Sequence, residues 1–306
     1  MKNINKPAFL ITIDTEGDNL WASPEIVTTE NSRFIPRFQV LCEKYGLKPT
    51  WLTNYEIAEC PAFVEFGRDV IQRRTGEIGM HIHAWDSPPI KNDNLKGQAY
   101  LIEFPENVMK DKIKFMTDLL EHKFKSKIVS HRAGRWAFNS IYAHLLVKLG
   151  YQVDCSVTPG VNWTNTLGDP NGKGGTDYTS FPSKPYYMDL DKIDHEGNSS
   201  LLEIPVSIVM KSNSVSWLRP NGYNLESMLE ILQQAYSEQW LCVEFMLHSS
   251  ELMPGGSPTF QTEKSIEKLY YDLEVLFSNA SKYFQGKTLC EFYNEFKILT
   301  QSQKTN

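Results

Sequence analysis

The chain has 306 residues, 41% of them hydrophobic and 22% charged, enough to bury the core of one large α/β domain, and no Gly/Ser- or Pro-rich linker divides residues 1–306. Its net charge of −6 comes without a concentrated basic stretch, which argues against nucleic acid as a partner and leaves a small or neutral polar one. No run approaches the length of a membrane span, and Met1-Lys-Asn-Ile-Asn-Lys-Pro7 lacks the apolar core and cleavage site of a secretory signal, so the expected compartment is the cytoplasm.

The hydrophobic run Phe9–Asp18 reads as a buried strand ended by Gly17. Side chains two apart share a strand face, so Asp14 and Glu16 project together from its carboxyl end. Two carboxylates that close are costly unless a cation or a proton sits between them. A helix over about Ser32–Lys44, closed by Gly46, leads to strand Lys48–Thr53. A helix over Pro61–Arg74, opened by Pro and followed by Gly76, leads to strand Glu77–His83. A polar loop with Pro88-Pro89, a helix over Glu106–His122 and strand Lys127–Arg132 follow, then a helix over Phe138–Leu149 capped by Gly150 and strand Tyr151–Cys155.

From about 156 to 200 the pattern weakens into Gly, Pro, Asn and Asp, too long for an ordinary connection; the insertion is either an excursion over the site or a disordered stretch. Order returns with strand Leu201–Val206, a helix over Leu225–Glu238, strand Trp240–His248, a helix over Thr262–Lys282, a short strand Lys287–Leu289 and a final helix. About seven strand–helix alternations with crossovers of parallel-sheet length predict an α/β fold. Because chemistry-bearing residues end so many different strands, a distorted or incomplete TIM-like barrel fits better than an open sheet.

His81 and His83 share one face of the third strand's end and could clasp one metal ion, or simply hydrogen-bond. With Glu16 they make a set of two nitrogens and one oxygen, the pattern of a hydrolytic centre with open positions. At the fourth strand's end Arg132 could hold an acid ionised, and Trp136 offers a face to a sugar ring. His248 suits proton transfer, with Leu247 lining a small apolar pocket beside it. Asp154, Glu203 and Glu244 read as buried acids that orient other groups, the last two as structural ones. Met253–Pro258 is Gly-rich but lacks the Gly-Lys-Ser/Thr ending of a phosphate loop and reads as a turn. Five scattered cysteines without a C-x-x-C pair are expected to be reduced thiols.

Taken in order, Asp14-Thr-Glu16, Glu77-Ile-Gly-Met-His81, Arg132-Ala-Gly-Arg-Trp136, Gly150-Tyr-Gln-Val-Asp154 and Leu247-His248 resemble the polysaccharide deacetylases of the NodB-homology type, carbohydrate esterase family four. The resemblance spans about Phe9–Pro258 and implies a (β/α)7 barrel and a divalent metal, usually zinc, that removes acetyl groups from N-acetylated sugars. It further implies that Asp14 is the catalytic base, Glu16 and His81 metal ligands, Arg132 the arginine that orients the base, Asp154 the acid supporting the acidic histidine, and His248 the general acid. Trp85 stands where the family's second metal histidine lies, so His83 must take its place. Gly134 stands where many relatives have Pro, and Glu16 replaces the commoner Asp. These departures mark a divergent branch, one serving surface-polysaccharide or lipopolysaccharide assembly.

The expected reaction is metal-dependent hydrolysis of an N-acyl group on a sugar or glycan, with Trp21, Trp85 and Trp136 as sugar contacts. A non-catalytic carbohydrate-binding relative and a glycosidase remain as alternatives. A glycosidase needs two carboxylates flanking a bond at roughly 5–9 Å, whereas Asp14 and Glu16 share one strand end. The sequence leaves the oligomeric state open.

Overall fold

Strand β1 (Ala8–Thr15) is buried at every position, because a strand inside a parallel sheet is covered on both faces and therefore reads as a near-continuous apolar run. After it come α1 (Ile35–Lys44), β2 (Pro49–Thr53), α2 (Tyr55–Glu59), α3 (Pro61–Arg73), β3 (Glu77–Ile82), α4 (Glu106–Phe124), β4 (Ser130–Ala133), α5 (Ser140–Lys148) and β5 (Val153–Asp154). Then follow β6 (Tyr186–Tyr187), β7 (Leu202–Glu203), the hairpin of β8 (Ile208–Lys211) and β9 (Ser214–Trp217), α6 (Leu225–Ser237), β10 (Cys242–His248), α7 (Glu263–Tyr283), β11 (Gln285–Lys287) and α8 (Leu289–Lys304). This computed structural model describes residues 6–90, 99–211 and 214–304; most of the N-terminal stretch read for targeting (1–5), and the continuation of the loop after Pro88-Pro89 (91–98), lie outside them.

Neighbouring strands run β10-β1-β2-β3-β4-β5-β7-β6, parallel except for the antiparallel pair β6–β7. The seven parallel strands from β10 to β7 curl into an incomplete (β/α)7 barrel. Among the described residues no ladder joins β7 to β10. The gap is stitched instead by Ser207 N–H donating to the Glu244 carbonyl and Met246 N–H to the Leu218 carbonyl, both at 3.3 Å. That seam is the distortion in the barrel.

Alternation along the strands sorts the interior. Phe9, Ile11 and Ile13 of β1, with Val243, Phe245 and Leu247 of β10, face the surrounding helices in the main core. Ala8 and Leu10 point the other way and join Leu289, Phe292 and Phe296 of α8, which plugs the amino end of the barrel. Continuing up that inner face come Thr12 and Asp14, both buried. The interior therefore runs from apolar at the plugged end to charged at the open, carboxyl end, where barrels of this kind keep their chemistry.

The insertion at 156–200 is ordered: it carries β6 and two bridged turns, Asn162 to Asp177 and Met188 to Glu196. Gly174 there has φ +88°, and a side chain at this position would meet the Thr164 carbonyl at 2.0 Å. The β8–β9 hairpin has no counterpart in the expectations, and β11 lies two residues earlier than expected, paired with β1 over Ala8–Leu10. No helix among the described residues is long and apolar enough to cross a membrane.

Candidate functional site

Register brings the predicted residues together. Asp14 lies opposite His248 on β10, and His81 on β3 lies opposite Arg132 on β4. Glu16, just past the end of β1, reaches across to the histidines. Its Oε2 is 3.7 Å from His81 Nε2 and 3.3 Å from His83 Nε2, and the two nitrogens are 3.0 Å apart. All three residues are buried, with ligand atoms within 4.8 Å of one another.

Tautomer and charge decide what this cluster can hold. His81 Nδ1 lies 3.1 Å from the Arg132 carbonyl. A carbonyl only accepts, so Nδ1 carries the ring proton and Nε2 presents a bare lone pair. Burial drives His81 down to about 3 and His83 to about 4, so both rings are neutral and able to ligate near pH 7. Burial, with Asp14, Glu56, Asp86 and Glu251 nearby, pushes the Glu16 carboxyl well above its usual range. A cation relieves that accumulation of carboxylates. His83 Nδ1 and Asp86 Oδ2, both buried and without hydrogen-bond partners, lie 3.7 Å apart, placing a carboxylate where metal-bound histidines commonly find one. The residues thus fit a divalent ion held by two imidazoles and one carboxylate, a donor set that suits zinc.

Asp14 sits beside the cluster as an ionised carboxylate. Arg132, fully buried, donates from Nη1 to Asp14 Oδ1 at 2.7 Å, from Nη2 to Thr12 Oγ1 at 2.7 Å and from Nε to the Cys155 carbonyl at 3.0 Å, and also pairs with Glu244. Burial opposes the charge on Asp14, but Arg132, His81 and His248 outweigh it and hold the carboxyl below its usual range. At Glu244 burial wins over Arg132 and Thr12 and raises the carboxyl to about 7; its Oε2 has no partner. One guanidinium between two acids keeps Asp14 charged and leaves Glu244 poised between its two forms near pH 7.

His248 closes the opposite side. Its Nδ1 lies 3.1 Å from Glu251 Oε2 and 3.2 Å from Arg219 Nη2, while Nε2 faces Asp14 Oδ2 at 3.7 Å and Glu16 Oε1 at 4.0 Å. Burial raises the Glu251 carboxyl, yet Arg219 and His248 hold it below its ordinary value, so it is an ionised acceptor behind the Nδ1 side of the ring, and Nε2 is left facing the cleft.

Two expectations are corrected. Asp154 does not support His248: the β4–β5 register sets it beside His131, whose Nδ1 lies 2.6 Å from Asp154 Oδ1, and Glu251 is the acid behind His248. Leu247 lines no pocket in the site. It is fully buried among the helices, because the two-residue period that turns His248 inward turns its neighbour outward. Glu203 and Glu244 are buried acids as expected.

Trp21, Trp85 and Trp136 line a cleft of about 380 Å³ over Asp14, Glu16, His81, His83 and His248. Trp21 stands edge-on to His248 at 4.8 Å, Trp85 stacks on His83 at 4.3 Å, and the Arg132 guanidinium lies 5.0 Å from the Trp136 ring. Asp18, the third acid of the opening run, accepts from Thr28 Oγ1 and the backbone N–H groups of Glu30 and Asn31, which anchors the loop bearing Trp21. Arg135, the second guanidinium of the fourth strand's motif, lines the same walls, and sequence reasoning missed Tyr100, Trp163 and Arg219 there. Trp163 comes from the insertion, and Arg219 follows the hairpin. A second cavity of about 560 Å³ shares Trp136, Trp163 and Arg219 and continues over Trp217.

A seven-stranded, incompletely closed parallel barrel with its polar cluster at the carboxyl ends is the fold of the polysaccharide deacetylases, and solved structures bear this out. A protein from Mycobacterium smegmatis, described provisionally as a polysaccharide deacetylase, is similar with a TM-score of 0.56 and 13% identity, over 96% of this chain and 92% of its own. One from Parabacteroides distasonis, described provisionally as a glycoside hydrolase/deacetylase, gives 0.63 and 11% over 98% of this chain and 72% of its own. The 4-alpha-glucanotransferase of Thermococcus litoralis gives 0.55 and 12% over 95% of this chain but 40% of its own. No family model and no curated protein matches the sequence. These likenesses establish the fold. One fold serving several carbohydrate reactions leaves the chemistry to be argued from the site.

Proposed function

We propose that the protein is a metal-dependent hydrolase that removes an N-acyl group, acetyl in the simplest case, from a sugar or glycan. The observation that carries this reading is the convergence of Glu16, His81 and His83 within 4.8 Å beside an Arg132-bound Asp14 and facing His248. Glu16, His81 and His83 would hold the ion, zinc by its donor set, which supplies Lewis acidity toward water and an amide carbonyl. Asp14, kept ionised by Arg132, accepts the proton of the attacking water through Oδ2. His248, oriented by Glu251 behind its Nδ1, delivers a proton from Nε2 to the departing sugar nitrogen as the C–N bond breaks. Trp21, Trp85 and Trp136 exclude water and offer their faces to the ring.

Glycosyl transfer, the reaction named for one protein of this fold, is disfavoured here. Of the two carboxylates in the cleft, Asp14 and Glu16, both come from one strand end, and one is bound to arginine and the other to the histidine pair. Acid release from acylated sugars tests the proposal. Asp14→Asn should lower hydrolysis about 10²–10⁴-fold with metal content unchanged, and His81→Ala should lose both. Full activity in either variant would refute the roles; glycan binding with stoichiometric metal but no acid release would leave a non-catalytic carbohydrate-binding protein.

A further inference from the structure

Of the arginines in the cleft, Arg132 is committed to Asp14 and Glu244, and Arg219 to Glu251. Arg135 is not: among the described residues it forms no ion pair with a carboxylate, and it is instead held over aromatic faces. Its guanidinium carbon lies 5.3 Å from the Trp85 ring centre and 5.9 Å from that of Tyr100. Trp85 in turn stacks on the ligand histidine His83 at 4.3 Å, with the rings 19° apart. The chain places Arg135 there at a conformational cost, since Arg135 and Trp136 adopt φ +54° and +61° in succession, a backbone that ordinary side chains disfavour. An exposed arginine without such constraint would extend into solvent. This one stays at the cleft wall, one stacked ring from the proposed metal, on a chain whose net charge is −6.

Resting on the proposed reaction, we infer that Arg135 recognises an anionic substituent on the acylated sugar, a carboxylate or a phosphate. With the acyl amide at Glu16, His81 and His83, the far side of the same pyranose ring faces Trp85 and Arg135. A guanidinium offers a planar, two-pronged donor that matches either anion, and stacking pre-orders it, so little freedom is lost on binding. The aromatic face beneath strengthens the cation's preference for this place without neutralising it. Arg219, the other arginine lining the cleft, is already paired with Glu251, and the groups opposite are acids, so negative charge is best received at Arg135.

Calorimetry on the zinc-loaded full chain tests this with three probes: N-acetylglucosamine, N-acetylmuramic acid for the carboxylate, and N-acetylglucosamine 6-phosphate for the phosphate. At least one anionic probe should bind about tenfold more tightly than the neutral one, and which of them does so names the anion. In R135Q the ratio of affinities should collapse toward one, in R135K part of it should return, and salt should weaken it. Equal affinities in the wild type, no binding of any probe, or a preference that survives in R135Q would overturn the inference. Acetate release measured in parallel separates it from the reading beneath: an Arg135-dependent preference without hydrolysis sinks the hydrolase proposal alone. Hydrolysis of all three probes with equal kcat/KM sinks the anion recognition alone.

Discussion

Arg132 holds one positive charge between two buried carboxylates, and the protein divides it unequally. Glu244 sits at about 7 in the folded chain against an ordinary 4.5. Between those values the folded chain therefore keeps a proton that the unfolded chain has released. The stabilisation is complete below about 4.5 and is lost as pH rises through 7. Asp14 has the opposite sign: its folded carboxyl is depressed, so its contribution is present above about 4 and disappears as pH falls below that. Glu244→Gln keeps a neutral side chain beside Arg132 and removes the first of these titrations. Its unfolding free energy, measured in denaturant from pH 5 to 8, should gain on the wild type by about 3 kcal/mol; parallel pH profiles would contradict the assignment. Arg132 as the holder of an acid, and Glu244 as a buried acid, were both readable in the sequence. Their sharing was not, because it depends on β1, β4 and β10 converging across the barrel. Asp154 was misplaced for a related reason: nothing in a linear motif distinguishes His248 from His131, which β4 sets directly beside it.

At the scale of elements, the Glu16–His81–His83 cluster depends on how closely the ends of β3 and β4 pack. Gly134 follows β4, and a Cβ there would lie 2.5 Å from the Ile82 carbonyl and 2.6 Å from His83 Cδ2. The close approach needs glycine for space rather than for backbone freedom. Gly134→Ala should displace His83 and weaken zinc affinity about 10–100-fold, the range seen when support of a ligand is disturbed, with a stability loss of about 1–3 kcal/mol from overpacking. Competition against a chelating dye measures the first, and unchanged affinity would mean that His83 is not a ligand. The same period of two explains what was legible here. It put His81 and His83 on one face correctly, and it makes Trp85 the ring stacked behind His83. Applied to β10 it also excludes Leu247, which the family resemblance had suggested. The β8–β9 hairpin escaped because its strands are four residues each and mix Lys and Ser with apolar residues, too short for alternation to register.

Across the whole molecule, the alternation of strand and helix was legible because the longer strands, β1 and β10 above all, are mostly apolar and several helices are opened by Pro or followed by Gly. Closure of the ring was not: it rests on a few hydrogen bonds around Ser207 and Leu218, which carry no composition. Nor was the cleft's outer wall, since Trp163 and Tyr100 come from segments without periodicity and are brought together by the Tyr100 hydroxyl donating to the Thr166 carbonyl. Tyr100→Phe should loosen that wall, raising KM for a glycan more than it lowers kcat, and an unchanged KM would assign the insertion a purely structural role. The barrel places its acids, imidazoles and arginines at one open end and its apolar plug at the other, and the hydrolytic reading depends on a cation at that open end. Anomalous scattering at the zinc edge, from crystals grown with zinc, tests it most directly. A single peak bounded by the Glu16 carboxylate and the Nε2 atoms of His81 and His83 is the expected result. The absence of a peak there, with both imidazoles turned away from Glu16, would contradict it.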